Sequence, residues 1–234
     1  MFLSRLILNP RSRDVRRDLS DCQQLHRSVM SAFPDIAGDD GARAALGVLH
    51  RIDLDRANVT LLVQSSQPPD WSHLPAGYLR VDTDLENPAC KRLDNLYGVL
   101  RSGDVLAFRL RANPSRKIDT KSRPDGNRRN GRRVELRTEA DLIDWLRRKG
   151  SMAGFEIVSV RARPEIPNAL AMTEAKQRGM HPTTSGGKMT FRPVLFSGVL
   201  RVADADLFRA ALIGGIGPAK AYGFGLLSVA RSAE

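Results

Sequence analysis

From Phe2 to Leu8 the chain alternates weakly between apolar and polar residues and is rich in Leu and Ile; Asn9 and Pro10 then stop the run, as at the end of a short strand. A helical pattern follows. Ser20 with Gln23 three residues later makes a capping box, and Leu25, Val29 and Phe33 recur at near-helical spacing until Pro34. Leu46 to Leu54 and Val59 to Ser65 read as two strands joined by a turn at Asp55 to Asn58. Trp71 and Leu74 start a short second helix, and Gly77 to Val81 forms a fourth strand. Strand, helix, strand, strand, helix, strand is the split βαβ order that also underlies the RNA-recognition module, so residues 1–88 predict one such unit.

Periodicity fades from Thr83 to Ser102, which places a linker over residues 89–102 and a second unit over 103–234. There, Asp104 to Arg111 alternates as a strand, and Leu142, Ile143 and Leu146 mark a helix between Arg137 and Lys149. Phe155 to Val160 and Phe191 to Val202 read as strands, Asp204 to Leu212 as a helix ending in glycines, and Leu226 to Ala230 as the last strand. The fold class is therefore α+β, two tandem ferredoxin-like (RRM-like, βαββαβ) domains. A length of 234 residues admits one large core or two compact ones.

Composition narrows the partner. No stretch approaches the roughly 20 apolar residues of a membrane helix, and the first residues turn basic without a secretory cleavage site. Cys22 and Cys90 show neither metal-ligand nor disulfide spacing, so a reducing, cytoplasmic setting is expected, with no cofactor and no metal. Lys and Arg number 37 against 26 acids, a net charge of +11 that suits a polyanion.

The densest charge lies in NPSRKIDTKSRPDGNRRNGRR, a Pro-, Gly- and Asn-rich segment read as an exposed hairpin. With the strand before it, it offers Arg109, Arg111, Arg116, Lys117, Lys121, Arg123, Arg128, Arg129, Arg132 and Arg133 to successive phosphates. A solvated loop or a surface for an acidic protein would share that composition. Arginine forks favour RNA phosphates, and the 6% aromatic content argues for a structured hairpin read by shape and charge rather than for base stacking.

Two further features bear chemistry. Gly214 to Gly225 (GGIGPAKAYGFG) would let backbone approach a phosphate beside Lys220, although the same glycines also suit a tight helix-to-strand connection. His26 can exchange a proton near neutrality, as RNA cleavage through a 2′-hydroxyl requires. From residue type alone, packing is the ordinary role of a lone histidine, and His50, His73 and His181 have no better context.

The segments MFLSRLILNPRSRDVRRDL, DCQQLHRSV, LLVQSSQPPDW, FRLRANPSRK and GGIGPAKAYGFGLLSVA, in this order, resemble the CasE (Cse3) family of CRISPR repeat endoribonucleases. The resemblance runs nearly end to end and is most specific at Phe108 to Lys117 and Gly215 to Ser228. It implies tandem ferredoxin-like domains and binding of the CRISPR repeat RNA hairpin. It further implies metal-free cleavage at the 3′ base of the stem through the 2′-hydroxyl, giving a 2′,3′-cyclic phosphate and a 5′-hydroxyl. The enzyme would then be retained beside other Cascade subunits, especially the backbone subunit. The family's catalytic histidine falls on His26 and its loop lysine on Lys220, with Arg27, Gly215, Gly217 and the hairpin arginines holding RNA. The tyrosine three residues before that histidine is Gln23 here, which hydrogen-bonds but exchanges no proton. That departure leaves a second implied reading, a non-catalytic subunit that caps the RNA hairpin.

Overall fold

A computed structural model describes residues 1–35, 42–55, 57–117, 133–165, 177–180 and 188–231. Two antiparallel four-stranded sheets organise the chain. The first comprises β1 (Phe2–Leu8), β2 (Leu49–Leu54), β3 (Val59–Ser65) and β4 (Ala89–Arg92) in the order β2-β3-β1-β4. In the second, β5 (Val105–Ala112), β8 (Phe155–Pro164), β11 (Val194–Val202) and β12 (Leu227–Arg231) stand in the order β12-β5-β11-β8. In each, the first strand lies between the third and the fourth, the ferredoxin-like arrangement expected from the sequence. Short hairpins, β6 (Ser115–Lys117) with β7 (Arg133–Glu135) and β9 (Gln177–Met180) with β10 (Lys188–Phe191), are inserted into the second unit.

Each sheet has its own apolar core. Leu6, Leu8, Val15, Leu25, Val29, Leu61 and Val63 pack in the first, and Phe108, Leu110, Trp145, Leu146, Phe155, Phe196 and Phe208 in the second. Helices α1 (Arg13–Ser20) and α2 (Cys22–Met30) cover the first. They are separate because Asp21 is extended, and its carboxylate, rather than the Ser20 hydroxyl, accepts from the Gln23 backbone N–H at 2.8 Å. The fully buried Asp18 binds them to the core: it is ion-paired with Arg17 at 2.8 Å and accepts from the Ser28 and Tyr78 hydroxyls.

The edge of β1 departs from the expected pattern. The helix expected at Trp71 is a single 3₁₀ turn, Trp71–His73, because Pro68, Pro69 and Pro75 flank it and lack the N–H groups a helix needs. The strand expected over Gly77 to Val81 reduces to one bridge, Leu8 to Leu79, while Ala89–Arg92 pairs with Phe2 to Arg5. Between the two, the Asn87 side-chain amide accepts from Ile7 N–H and donates to the Ile7 carbonyl, both at 2.8 Å, standing in for a strand residue. The stretch expected as a linker therefore begins with a strand, and helix α4 (Asp94–Gly98) follows it. A four-residue helix, α3 (Ala42–Ala45), precedes β2; α5 (Glu139–Met152) and α6 (Ala205–Gly214) cover the second sheet.

The two units meet through buried polar contacts. The Arg51 guanidinium, 2% exposed, is held by Asp53 and donates to the Arg109 and Leu226 carbonyls and to Ser228 Oγ at 3.0–3.2 Å. Gln64 donates to the Leu212 carbonyl at 2.8 Å and accepts from the Tyr97 hydroxyl at 2.7 Å. Of the described residues, no helix is long and apolar enough to cross a membrane.

Candidate active site

The site forms where α2 and β2 of the first unit meet the glycine-rich loop of the second. Leu25 and Val29 anchor α2 in the core, which leaves the neighbouring His26 half-buried on the helix flank and Arg27 exposed. The 3₁₀ turn Lys220–Tyr222 packs on both α2 and β2, and a small cluster of Cys22, Phe191 and Phe224 closes the joint. This brings the elements bearing His26 and Lys220, 194 residues apart, into contact.

Glycine geometry makes the loop possible. Gly215 and Gly217 have φ of 75° and 83°, and a Cβ would come within 2.9 Å of the Leu49 methyls at the first and of the Trp145 ring at the second. Close packing against Leu49 of the first unit and Trp145 of the second demands glycine here. Gly215→Ala is expected to cost about 1–3 kcal/mol through backbone strain and the Leu49 clash, seen as a lower melting temperature.

Arg111 occupies a different place from the one expected. It is 4% exposed, donates to Glu165 at 2.7 Å and to the Gly223 carbonyl at 3.3 Å, and stacks 4.7 Å from the centre of the Phe224 ring. Its strand position puts it on the face of β5 that also bears Arg109, opposite the core residues Phe108 and Leu110, where it braces the glycine loop. Arg109 is half exposed and lies 3.7 Å from Asp53. Arg116 and Lys117 are exposed on β6, with Arg133 directly opposite Lys117 on β7. Lys121, Arg123, Arg128, Arg129, Arg132 and His181 lie outside the described residues. A pocket of about 480 Å³ joins the hairpin base to the glycine loop, with Ser115, Arg133, Lys149, Gly217 and Lys220 on its walls. The cations thus follow one track from the β6–β7 hairpin to the turn packed on α2.

His26 is held below its ordinary pKa, first by burial and then by the positive charges of Arg43 and Arg27, so it is neutral at pH 7. Lys220 is also lowered, by burial and by Arg43 and Lys149. Arg43, whose Nη1 donates to the Val48 carbonyl at 3.0 Å, was not singled out by the sequence pattern: it precedes β2 in a stretch without clear periodicity. Its charge reaches His26, His50 and Lys220 alike. His73 is exposed and 3.4 Å from Asp70, apart from this cluster. Gln23, one turn before His26, has its side-chain oxygen buried without a hydrogen-bond partner among the described residues.

His50 on β2 is fully buried, 6.3 Å from the His26 ring and inclined 20° to it. Burial, reinforced by His26, Arg111 and Arg43, pushes its pKa down to about 3. Unfolded His50 binds a proton below its ordinary value of 6.5 whereas the folded protein does so only near 3. As far as His50 is concerned, folding is therefore most favourable above pH 6.5, and stability is lost as the pH falls from there toward 3. Denaturant melts of the wild type are expected to weaken over this window, and His50→Leu to weaken less.

Tandem ferredoxin-like sheets thus bring a histidine-bearing helix and a lysine-bearing turn into contact at the joint between the units, beside a pocket with cations on its walls. The chain belongs to the CRISPR associated protein family, whose model matches residues 1–231. It is 34% identical to the CRISPR-associated endoribonuclease Cse3 of Thermus thermophilus over 98% of this chain and 100% of that one. To the CRISPR system Cascade subunit CasE of Escherichia coli it is 31% identical, over 98% and 99%. The solved structure of Thermus thermophilus Cse3 bound to an RNA representing a pre-cleavage complex superposes with a TM-score of 0.71 and 30% identity, covering 98% of both chains.

Proposed function

We propose that this chain is a CRISPR repeat endoribonuclease that binds the stem-loop of the repeat transcript, cuts at its 3′ base and stays bound to the product as a Cascade subunit. The observation that supports it best is a neutral, half-buried histidine on the helix against which the Lys220 turn packs, at the end of a cationic track. In this reading the first unit, which β4 extends to residue 92, carries the proton-transfer residue, and the second holds the stem. Arg116, Lys117 and Arg133 grip stem phosphates, with the rest of the basic segment extending that grip, while Arg109 follows along β5.

His26 takes the proton of the 2′-hydroxyl. The 2′-oxygen bonds to phosphorus, the bond from phosphorus to the 5′-oxygen breaks, and that oxygen takes a proton from solvent water to leave a 5′-hydroxyl beside a 2′,3′-cyclic phosphate, while the His26 imidazolium returns its proton to solvent. Lys220 and Arg43 offset the charge gathering on the phosphate oxygens, where water is partly excluded and such a cation counts for more.

The test is labelled repeat RNA incubated with the protein in EDTA, alongside a substrate with 2′-deoxy sugar at the scissile position. Cutting of the first alone, with a cyclic phosphate end, is expected. Gln23 in place of the family tyrosine favours one other reading, a subunit that caps the hairpin without cutting; tight binding with both substrates intact would establish it instead.

A further inference from the structure

Three ring nitrogens stand together beneath the surface of the site. His26 Nδ1 and both nitrogens of His50 are buried, and none has a hydrogen-bond partner among the described residues. A buried imidazole with two empty nitrogens is costly, about 1–3 kcal/mol for each polar group left unmatched, so a histidine at this place needs a reason that a leucine would not supply. Its Nε2 edge lies against Gly223, where a Cβ would come within 3.3 Å, and Arg111 crosses the same glycine. The charged or titratable groups acting on His50 are His26, Arg111 and Arg43, none of them an acid.

A centroid separation of 6.3 Å, with the rings inclined 20°, is too long for a direct ring-to-ring hydrogen bond and within the reach of one bridging water. We propose that His50 is a positioning residue for His26: a water bridging a His50 nitrogen to His26 Nδ1 keeps the proton of the neutral His26 ring on Nδ1 and its lone pair on Nε2. The buried edge of His26 is then the donor edge, and the half-exposed edge is free to take a proton from substrate. Free imidazole exchanges its tautomers; without His50, a share of His26 would carry its proton on Nε2 and be unable to act as base. His50 stays neutral throughout, since none of the described groups acting on it is an acid, and so can accept through the water when His26 becomes an imidazolium. This also suggests how the site works with Gln23 where relatives carry tyrosine: orientation of His26 comes from beneath rather than from the same helix.

The inference rests on His26 serving as the base, and two readouts separate it from that reading. Nitrogen-15 NMR of the free protein reports the His26 tautomer with no RNA present, and single-turnover cleavage against pH reports its use. Wild type is expected to show His26 protonated on Nδ1. His50→Leu, which removes the unmatched nitrogens and should fold at least as stably near neutral pH, is expected to give mixed tautomers, cleavage slowed about tenfold or more across the pH plateau, and unchanged RNA affinity. His50→Gln, able to hold the water, should recover part of the rate. A wild-type protein that does not cut would overturn the proposed function while the NMR still judges His50. Unchanged tautomer and rate in His50→Leu would show that His50 only fills space.

Discussion

His26→Ala is expected to slow cleavage of the repeat hairpin by about 10²- to 10⁴-fold while leaving the affinity for RNA within a few fold of wild type, the loss typical of removing one general acid–base group. The two effects separate because the site divides its labour. In the proposed function the cations on the β6–β7 hairpin and around the pocket beside Lys220 hold phosphates, whereas His26 contributes a proton acceptor that burial and Arg43 keep neutral. Below the lowered pKa of His26 the wild-type rate should fall, because the protonated ring no longer accepts, and the residual rate of the alanine variant should lack that limb. Single-turnover cleavage across pH, with binding followed by filter retention, checks both points. Equal loss of cutting and binding would mean that His26 acts on RNA by contact and not by proton transfer.

The largest structural effect is expected at Arg51. Arg51→Ala should destabilise the protein by about 3–5 kcal/mol, the range for removing one member of a buried ion pair, and lower the melting temperature by roughly 6–20 °C. The loss is large because one 2%-exposed guanidinium serves both units: it pairs with Asp53 in the first sheet and donates to the Arg109 and Leu226 carbonyls and Ser228 Oγ in the second. Truncation leaves a carboxylate and two carbonyls without their donor. Arg51→Ala with Asp53→Ala should recover part of the loss, since the second change removes the stranded charge, and calorimetry of the four proteins measures the coupling. If the single variant melts like wild type, the Arg51 contacts contribute nothing to holding the units together.

Repeating local patterns wrote much of the fold into the chain. β1 and β3 occupy the residues that their alternation indicated, and the helices of the second unit fall within a few residues of the periodic runs that announced them. Failures occur where a partner far along the chain decides. Gly77 to Val81 looked more strand-like than Ala89–Arg92, yet the edge of β1 is shared between a single bridge at Leu79 and β4, with Asn87 filling the gap. The first helix was expected to start at a Ser20 cap, yet Ser20 ends α1 and Asp21 caps α2.

The site shows the same division. His26, Lys220 and the glycines were legible because their residue types are rare in that order and because the whole chain resembles one family. By itself the sequence determined two ferredoxin-like units, a strong positive charge and a histidine and lysine of the right kind, since strand and helix periods, turn residues and charge are local properties. Only the tertiary structure decided that Arg111 is buried against the glycine loop, that Arg43 joins the cationic cluster, and that His50 lies buried beneath His26. Burial, ring separation and charge proximity depend on which distant segments meet, and those distances arise only once the two sheets have packed.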